Sequence, residues 1–168
     1  GDVYKRQGNA QGATPSPVAA PVAEEIARYI REQGLTKPIV VGHSMGGTIG
    51  LMLAARHPDA VGKLMIVDMV PFMGAMFGAP GATAESVTPV ADQIWAAQAN
   101  SPHAAYETHA TATINGMINT ESRRAQALED MRNSDQKVSA AAFRELIVTD
   151  LRPELSKITA PTCLLYTS

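Results

Sequence analysis

A parallel α/β sheet flanked by helices and carrying an all-helical insertion is the fold class that three features of this sequence predict. The first is a short apolar run, Pro38-Ile39-Val40-Val41, followed by the glycine-rich turn Gly42-His43-Ser44-Met45-Gly46-Gly47 and a helical pattern up to His57. The second is another apolar run, Leu64–Val67, reached by a crossover of the length that joins parallel neighbours. The third is a train of helical patterns over 89–149, after which a strand begins near Thr162.

Taken in order, residues 8–18 are rich in Gly, Ala, Pro, Ser and Gln and read as loop. Residues 19–33 come next as a helix with Val22, Ile26, Tyr29 and Ile30 on its apolar face, Glu24 and Glu25 early, and Gly34 ending it. This helix is expected to cover one face of the sheet. Residues 38–41 are β-branched and too few for a helix, so they form a buried strand. From Gly46 to His57, Ile49, Met52 and Leu53 make the apolar side of a second helix. Pro58 and Gly62 punctuate before the strand Leu64–Val67, which runs into Asp68. Apolar strands of this kind call for helices on both faces.

From Met69 to Gly78 the chain is apolar, irregular and rich in methionine. Helices are then expected over about 89–99 (opened by Thr88-Pro89, with Val90, Ile94 and Trp95), 102–118 (Ser101-Pro102; Tyr106, Ala110, Ile114, Met117), 121–133 (capped by Thr120) and 136–149 (capped by Ser134). The resulting division is a core over 8–68, a helical segment over 69–149 and a return to the sheet over 150–168. Gly1-Asp2-Val3-Tyr4-Lys5-Arg6-Gln7 and the run from Cys163 to Ser168 look like translated sequencing-adaptor read-through, and are set aside as non-native ends.

Strand, Gly-x-Ser-x-Gly and helix in succession form the nucleophile-elbow arrangement. A serine nucleophile projects from a sharp, strained strand-to-helix turn. Gly42 and Gly46 are expected to face each other across it, where a Cβ on either would clash. The helix starts just behind Ser44, so its dipole and the N–H of Met45 favour a developing oxyanion. Two phosphate-binding alternatives fail: Gly47 is followed by Thr48-Ile49 rather than by Lys and Ser/Thr, and G-x-G-x-x-G is absent from this turn.

Val40-Val41-Gly42-His43-Ser44-Met45-Gly46-Gly47 resembles the elbow of the α/β-hydrolase family, and Ala54–Val61 with Leu64–Asp68 resembles the helix end and strand that succeed the elbow there. Asp150-Leu151-Arg152-Pro153-Glu154-Leu155 through Thr162 resembles the family's return from its cap into the next core strand. The resemblance implies a cap-bearing serine hydrolase acting on a carboxylic ester or similar acyl compound. Its fold here is partial, and 69–149 is the cap. It also implies the roles. Ser44 attacks the carbonyl, Met45 N–H holds the oxyanion, and the triad runs Ser, then Asp/Glu, then His. Asp68 is the one candidate acid position. His57, His103 and His109 are poorly placed as base, which the family takes from a loop after the last core strand, so the chain is expected to lack it and to be inactive or nearly so. His43 precedes the nucleophile and should turn away from it, lining the pocket at most. Phe72, Met73 and Met76 either line an apolar substrate pocket or form the seam between insertion and sheet.

Composition narrows the partners. A net charge of −2 gives no reason to expect nucleic acid or an anionic membrane, and no apolar run is long enough to span a bilayer. One cysteine excludes an intrachain disulfide and a multi-cysteine metal site, and the four histidines show no metal spacing. No cofactor or metal is implied; a small acyl or ester molecule is the expected partner, a cytoplasmic location the expected setting, and oligomeric state is not encoded. Two other readings stay open: a ligand-binding receptor that keeps the serine without turnover, and an unrelated α/β domain in which Ser44 caps a helix.

Overall fold

The computed structural model describes residues 16–166. The adaptor-like residues 1–7, and 8–15 of the expected loop, lie outside that range. Helix α1 (Ala19–Glu32) leads to strand β1 (Ile39–His43), helix α2 (Met45–Arg56) and strand β2 (Lys63–Val67). A 3-10 turn, Met73–Met76, precedes α3 (Ala84–Asn100), α4 (His103–Met117), α5 (Glu121–Asn133) and α6 (Gln136–Val148). A second 3-10 turn, Arg152–Lys157, returns the chain to β3 (Thr162–Leu165). The strands form one parallel sheet in the order β1-β2-β3, with His43 opposite Val67 and Val67 opposite Leu165. Cys163, Leu164 and Leu165, set aside with the chain end, therefore lie in β3.

Helix α2 holds the sheet side together. Gly47, Thr48 and every residue from Gly50 to Ala55 are buried, so this helix is enclosed all round. On one side it lies on Leu64 and Ile66, on the other against α1. The approach to the sheet is close: a Cβ on Gly50 would sit 3.0 Å from Leu64 Cδ1, and one on Gly47 would sit 2.9 Å from Ile66 Cγ2.

The buried stripe of α1 is Ala19, Ala23, Ala27 and Ile30: of the residues that periodicity singles out, Ile30 is buried and Ile26 packs against the core, whereas Tyr29 is 56% exposed. Small residues let two helix backbones approach, so the contact selects alanine over bulk. The carboxylate of Glu145 on α6 caps the start of α1, accepting from the N–H groups of Val18 (2.5 Å) and Ala19 (2.9 Å). Gly34 ends the helix as expected, at φ +62, with its N–H on Arg31 O and that of Leu35 on Ile30 O.

Among the described residues, the expected helices lie on one sheet face only. Strand alternation places Val40, Leu64 and Ile66 under α2, while Ile39 (67%), Val41 (63%) and Met65 on the opposite face are exposed. Helix α1 lies beside α2 rather than across that face.

Beyond β2, a second apolar cluster of Phe72, Ala82, Val87, Ala91 and Ile147 joins α3 to α6. Helix α3 starts at Ala84, five residues before the expected start, with Pro89 inside it. Thr83 and Ser86 form a reciprocal capping box (Ser86 N–H to Thr83 Oγ1, 3.2 Å; Thr83 N–H to Ser86 Oγ, 2.9 Å), and burial of Val87 and Ala91 carries the helix through the proline. Asp135, not Ser134, caps α6, accepting from the N–H groups of Lys137 (2.8 Å) and Val138 (3.0 Å). Helix α5 spans 121–133 as expected. The return segment is fastened twice: Arg152 lies 4.5 Å over the Phe72 ring, and Arg56 on α2 donates to Glu154 at 3.0 Å.

Substitutions at these contacts should have unequal costs. A Cβ on Gly42 would sit 2.2 Å from Gly46 O, whereas one on Gly46 meets nothing within 4 Å, which corrects the expectation that both glycines are sterically required. Gly42→Ala should therefore cost about 2–4 kcal/mol in denaturant unfolding. Gly46→Ala should change stability by less than about 1 kcal/mol and in the favourable direction. Glu145→Ala, which removes the α1 cap, should cost about 1–2 kcal/mol in the same measurement. The hydrogen bond from Arg56 holds the Glu154 carboxyl below the usual carboxylate range. Its contribution is thus complete above the unfolded carboxylate value and is lost as pH falls through the lower folded value. Glu154→Gln should cost at most about 1 kcal/mol at neutral pH, and the difference should vanish in unfolding curves taken in strong acid.

Candidate active site

The parallel pairing of β1 and β2 assembles the site. Ser44 follows β1 directly and its N–H donates to Val67 O at 2.9 Å, so the turn is pinned to the end of β2. Its backbone sits at φ +52, ψ −123, outside the regions that non-glycine residues favour. The Gly42 Cα faces the Gly46 carbonyl at a distance that only a hydrogen in place of Cβ permits. Ser44 O accepts from the N–H groups of Gly47 (2.7 Å) and Thr48 (3.4 Å), so the helix begins at once. Met45 occupies the first helical position, where the N–H has no carbonyl partner within the helix. The half-buried Ser44 side chain thus stands at the positive end of α2.

A cavity of about 480 Å³ opens over this turn, lined by His43, Ser44, Asp68, Ile114, Met117 and Ile118. Its floor is polar and its wall apolar. Asp68 directly follows β2 at φ +51, with its N–H donating to Leu165 O at 2.9 Å. Its carboxylate comes within 3.8 Å of His43 Nε2. His43, expected to turn away from the nucleophile, continues the exposed alternation of β1 but still borders the cavity. The register explains the encounter: His43 pairs with Val67, which sets residue 68 one step beyond it at the same sheet end.

The remaining sequence candidates separate clearly. Phe72 is buried in the second cluster, Met73 packs between both clusters, and Met76 is 77% exposed. None of the three borders the cavity; Phe72 and Met73 serve in packing, and Met76 does neither. His57 ends α2 and its ring lies 3.0 Å from the Glu24 carboxylate. His103 faces Gln136 at 3.3 Å and stacks on Tyr106. Among the described residues, no histidine ring is hydrogen-bonded to the Ser44 hydroxyl. No group of three or more His, Cys, Asp or Glu is placed to hold a metal among them. No helix among them is long and apolar enough to cross a membrane.

Sequence reasoning missed the apolar wall. Ile114, Met117 and Ile118 come from the end of α4, and helical spacing gave only the apolar face that contains Ile114 and Met117, not what it covers.

Comparison with known proteins gives a consistent picture. The chain is 47% identical over 47 residues to the RutD protein of Caulobacter segnis, named as a candidate carbamate hydrolase; that stretch is 28% of this chain and 18% of the relative. It is 40% identical over 57 residues to a candidate esterase/lipase of Haemophilus influenzae, covering 34% of this chain and 20% of that protein. A crystal structure of a hydrolase from Pseudomonas aeruginosa PA01 superposes with a TM-score of 0.68 at 16% identity, over 90% of this chain and 54% of that one. The chain thus spans about half the length of that solved structure, and the curated relatives match over about a fifth of theirs. The sequence pattern of the alpha/beta hydrolase fold family matches residues 8–154, from before α1 to the return segment, and together with the elbow geometry at Ser44 this places the chain in that family.

Proposed function

We propose that this is the nucleophile-bearing part of a serine hydrolase that cleaves a carboxylic ester or a similar acyl compound such as a carbamate. The observation that carries the reading is Ser44, strained at φ +52 between β1 and α2 and opening into a cavity with a polar floor and an apolar wall. Ser44 Oγ attacks the substrate carbonyl and its proton passes to a base. The carbonyl oxygen, now an oxyanion, is held by the N–H of Met45 at the start of α2. The acyl or alkyl part rests on Ile114, Met117 and Ile118. Helices α3–α6 act as the cap over the core.

Asp68 is the acidic group of the site, positioned to orient an imidazole and to balance the charge that it gains. The reading assigns the base to an imidazole outside the described residues, in keeping with the chain order that the family resemblance implies. His43 lines the pocket beside Asp68. A second reading, ligand binding without turnover, draws on the same cavity and on the lack of a histidine hydrogen-bonded to Ser44 among the described residues.

Fluorophosphonate labelling read by intact mass, on a sample shown folded by circular dichroism, separates these readings. Slow labelling of Ser44, abolished by Ser44→Ala and unchanged in His103→Ala and His109→Ala, is the expected outcome. Without a general base its rate should lie roughly 10²–10⁴-fold below that of an activated serine. Rapid labelling removed by His43→Ala would instead make His43 the base. A complete lack of labelling, with alkyl ligands still bound by Ser44→Ala, would favour the receptor reading.

A further inference from the structure

The wall over Ser44 is carried by a part of the fold with little core of its own. Helices α4 and α5 pack chiefly against each other, and neither contains a buried residue. Polar contacts join them into a unit: Arg124 Nε on α5 donates to Ile118 O at 2.7 Å, and Glu107 on α4 lies 4.0 Å from Arg132 on α5. The unit is rooted at Ser101-Pro102 after α3 and at Ser134-Asp135 before α6. Helices α3 and α6, by contrast, share the apolar cluster of Val87, Ala91 and Ile147.

One side chain joins both roots. The Gln136 amide on the first residue of α6 donates to Gln98 O (2.8 Å), to Ser101 O (3.0 Å) and to Ser101 Oγ (3.2 Å). Its oxygen faces Nδ1 of His103, the first residue of α4, at 3.3 Å. Gln98 O belongs to the last turn of α3, where carbonyls have no partner within the helix; it accepts from Ser101 Oγ at 3.0 Å as well as from Gln136, so Gln136 shares the capping of that helix end and is the contact that reaches it from α6. The same four contacts bind the end of α3, the start of α4 and the start of α6 to one another.

Leverage makes this strap consequential. From His103 to the Ile114–Ile118 wall, α4 runs for about 20 Å, so a tilt of about ten degrees at the root moves the wall by about 3–4 Å. That displacement is comparable to the width of a methylene chain. The Ser44 turn, pinned to β2, does not move with it.

We propose that Gln136 is a positioning residue: by strapping the roots of the α4–α5 unit it holds Ile114, Met117 and Ile118 over Ser44 and sets the width of the acyl site. The last clause rests on the hydrolase reading; the strap itself does not.

The test is hydrogen exchange of the full chain, read segment by segment, together with methyl spectra of methionine-labelled protein in which Met117→Leu assigns the Met117 signal. In Gln136→Ala, exchange across 103–133 should rise about tenfold and the Met117 methyl should shift, while α3, α6 and the melting midpoint stay as in the parent chain. Gln136→Lys, which keeps a donor for Gln98 O and Ser101 O, should restore most of the protection; Gln136→Glu, which presents a carboxylate to those carbonyls, should not. Unchanged exchange over 103–133 in Gln136→Ala overturns the proposal. So does a rise shared equally by α3 and α6 with a lower melting midpoint, because the residue would then be supporting the whole helical segment. A failure of Ser44 to label in any variant would count against the hydrolase reading while leaving the exchange result intact.

Discussion

The contact on which the site depends is the approach of Gly42 to the backbone of Gly46. Strand β1 can turn into α2 within one residue only if the chain folds back to within 2.2 Å of where a Cβ on Gly42 would lie. That reversal forces Ser44 to φ +52 and puts its side chain at the start of a helix rather than along the strand. The strain is balanced by what surrounds it. The Ser44 N–H is tied to Val67 O, its carbonyl is tied to Gly47 and Thr48, and α2 is buried along nearly its whole length. The elbow is local geometry held in place by non-local packing.

The rest of the chain divides according to how it relates to α2. Helix α1 covers it through an alanine stripe and is itself capped by Glu145 from α6, a link of 127 residues in sequence between sheet side and insertion. The Arg56–Glu154 pair and Arg152 over Phe72 fasten the return segment to α2 and to the second cluster respectively. Gly74 belongs to the same logic, since a Cβ there would sit 2.2 Å from Ile147 O, and the 3-10 turn could not lie against α6. Helices α3 and α6 are therefore continuous with the core, whereas α4 and α5 are not.

What could be read from the sequence was whatever is local. A β-branched run, glycines at fixed offsets from a serine and the ends of α4 and α5 depend on residues a few positions apart, and they were legible. The buried side of α1 was legible only at Ile30, because hydrophobic periodicity weights Val22 and Tyr29 above the alanines that a close helix contact selects. The start of α3 was misjudged because Pro89 outweighed the Thr83–Ser86 box, whose energetic partner is the burial of Val87. The bare sheet face was also beyond reach, since Ile39 and Val41 look the same in sequence whether or not a helix covers them. At the site, the sharp turn at Ser44, the close approach at Gly42 and the place of Asp68 just after β2 were legible; their chemical roles belong to the proposed reading. The encounter of His43 with Asp68 depends on strand register, and the wall of Ile114, Met117 and Ile118 on where a helix pair comes to rest. Neither is written in local pattern.

The cavity thus has two unlike halves, and the difference has chemical consequences. The floor, built from the ends of β1 and β2 and the start of α2, is held by backbone hydrogen bonds and close packing. Such a floor suits preorganised work, because an oxyanion donor is effective only when it does not have to move as charge develops. The wall is held at its roots by polar contacts of one side chain and by few apolar ones. A wall of that kind can differ in position without disturbing the nucleophile. On the proposed hydrolase reading, discrimination between substrates arises in α4 and α5, where Met117 is 70% exposed, while the geometry at the nucleophile stays fixed by Gly42 and Ser44. Substitutions in the two halves should accordingly be separable, with those at the elbow acting on reactivity and stability together and those in α4 acting on which molecule is accepted.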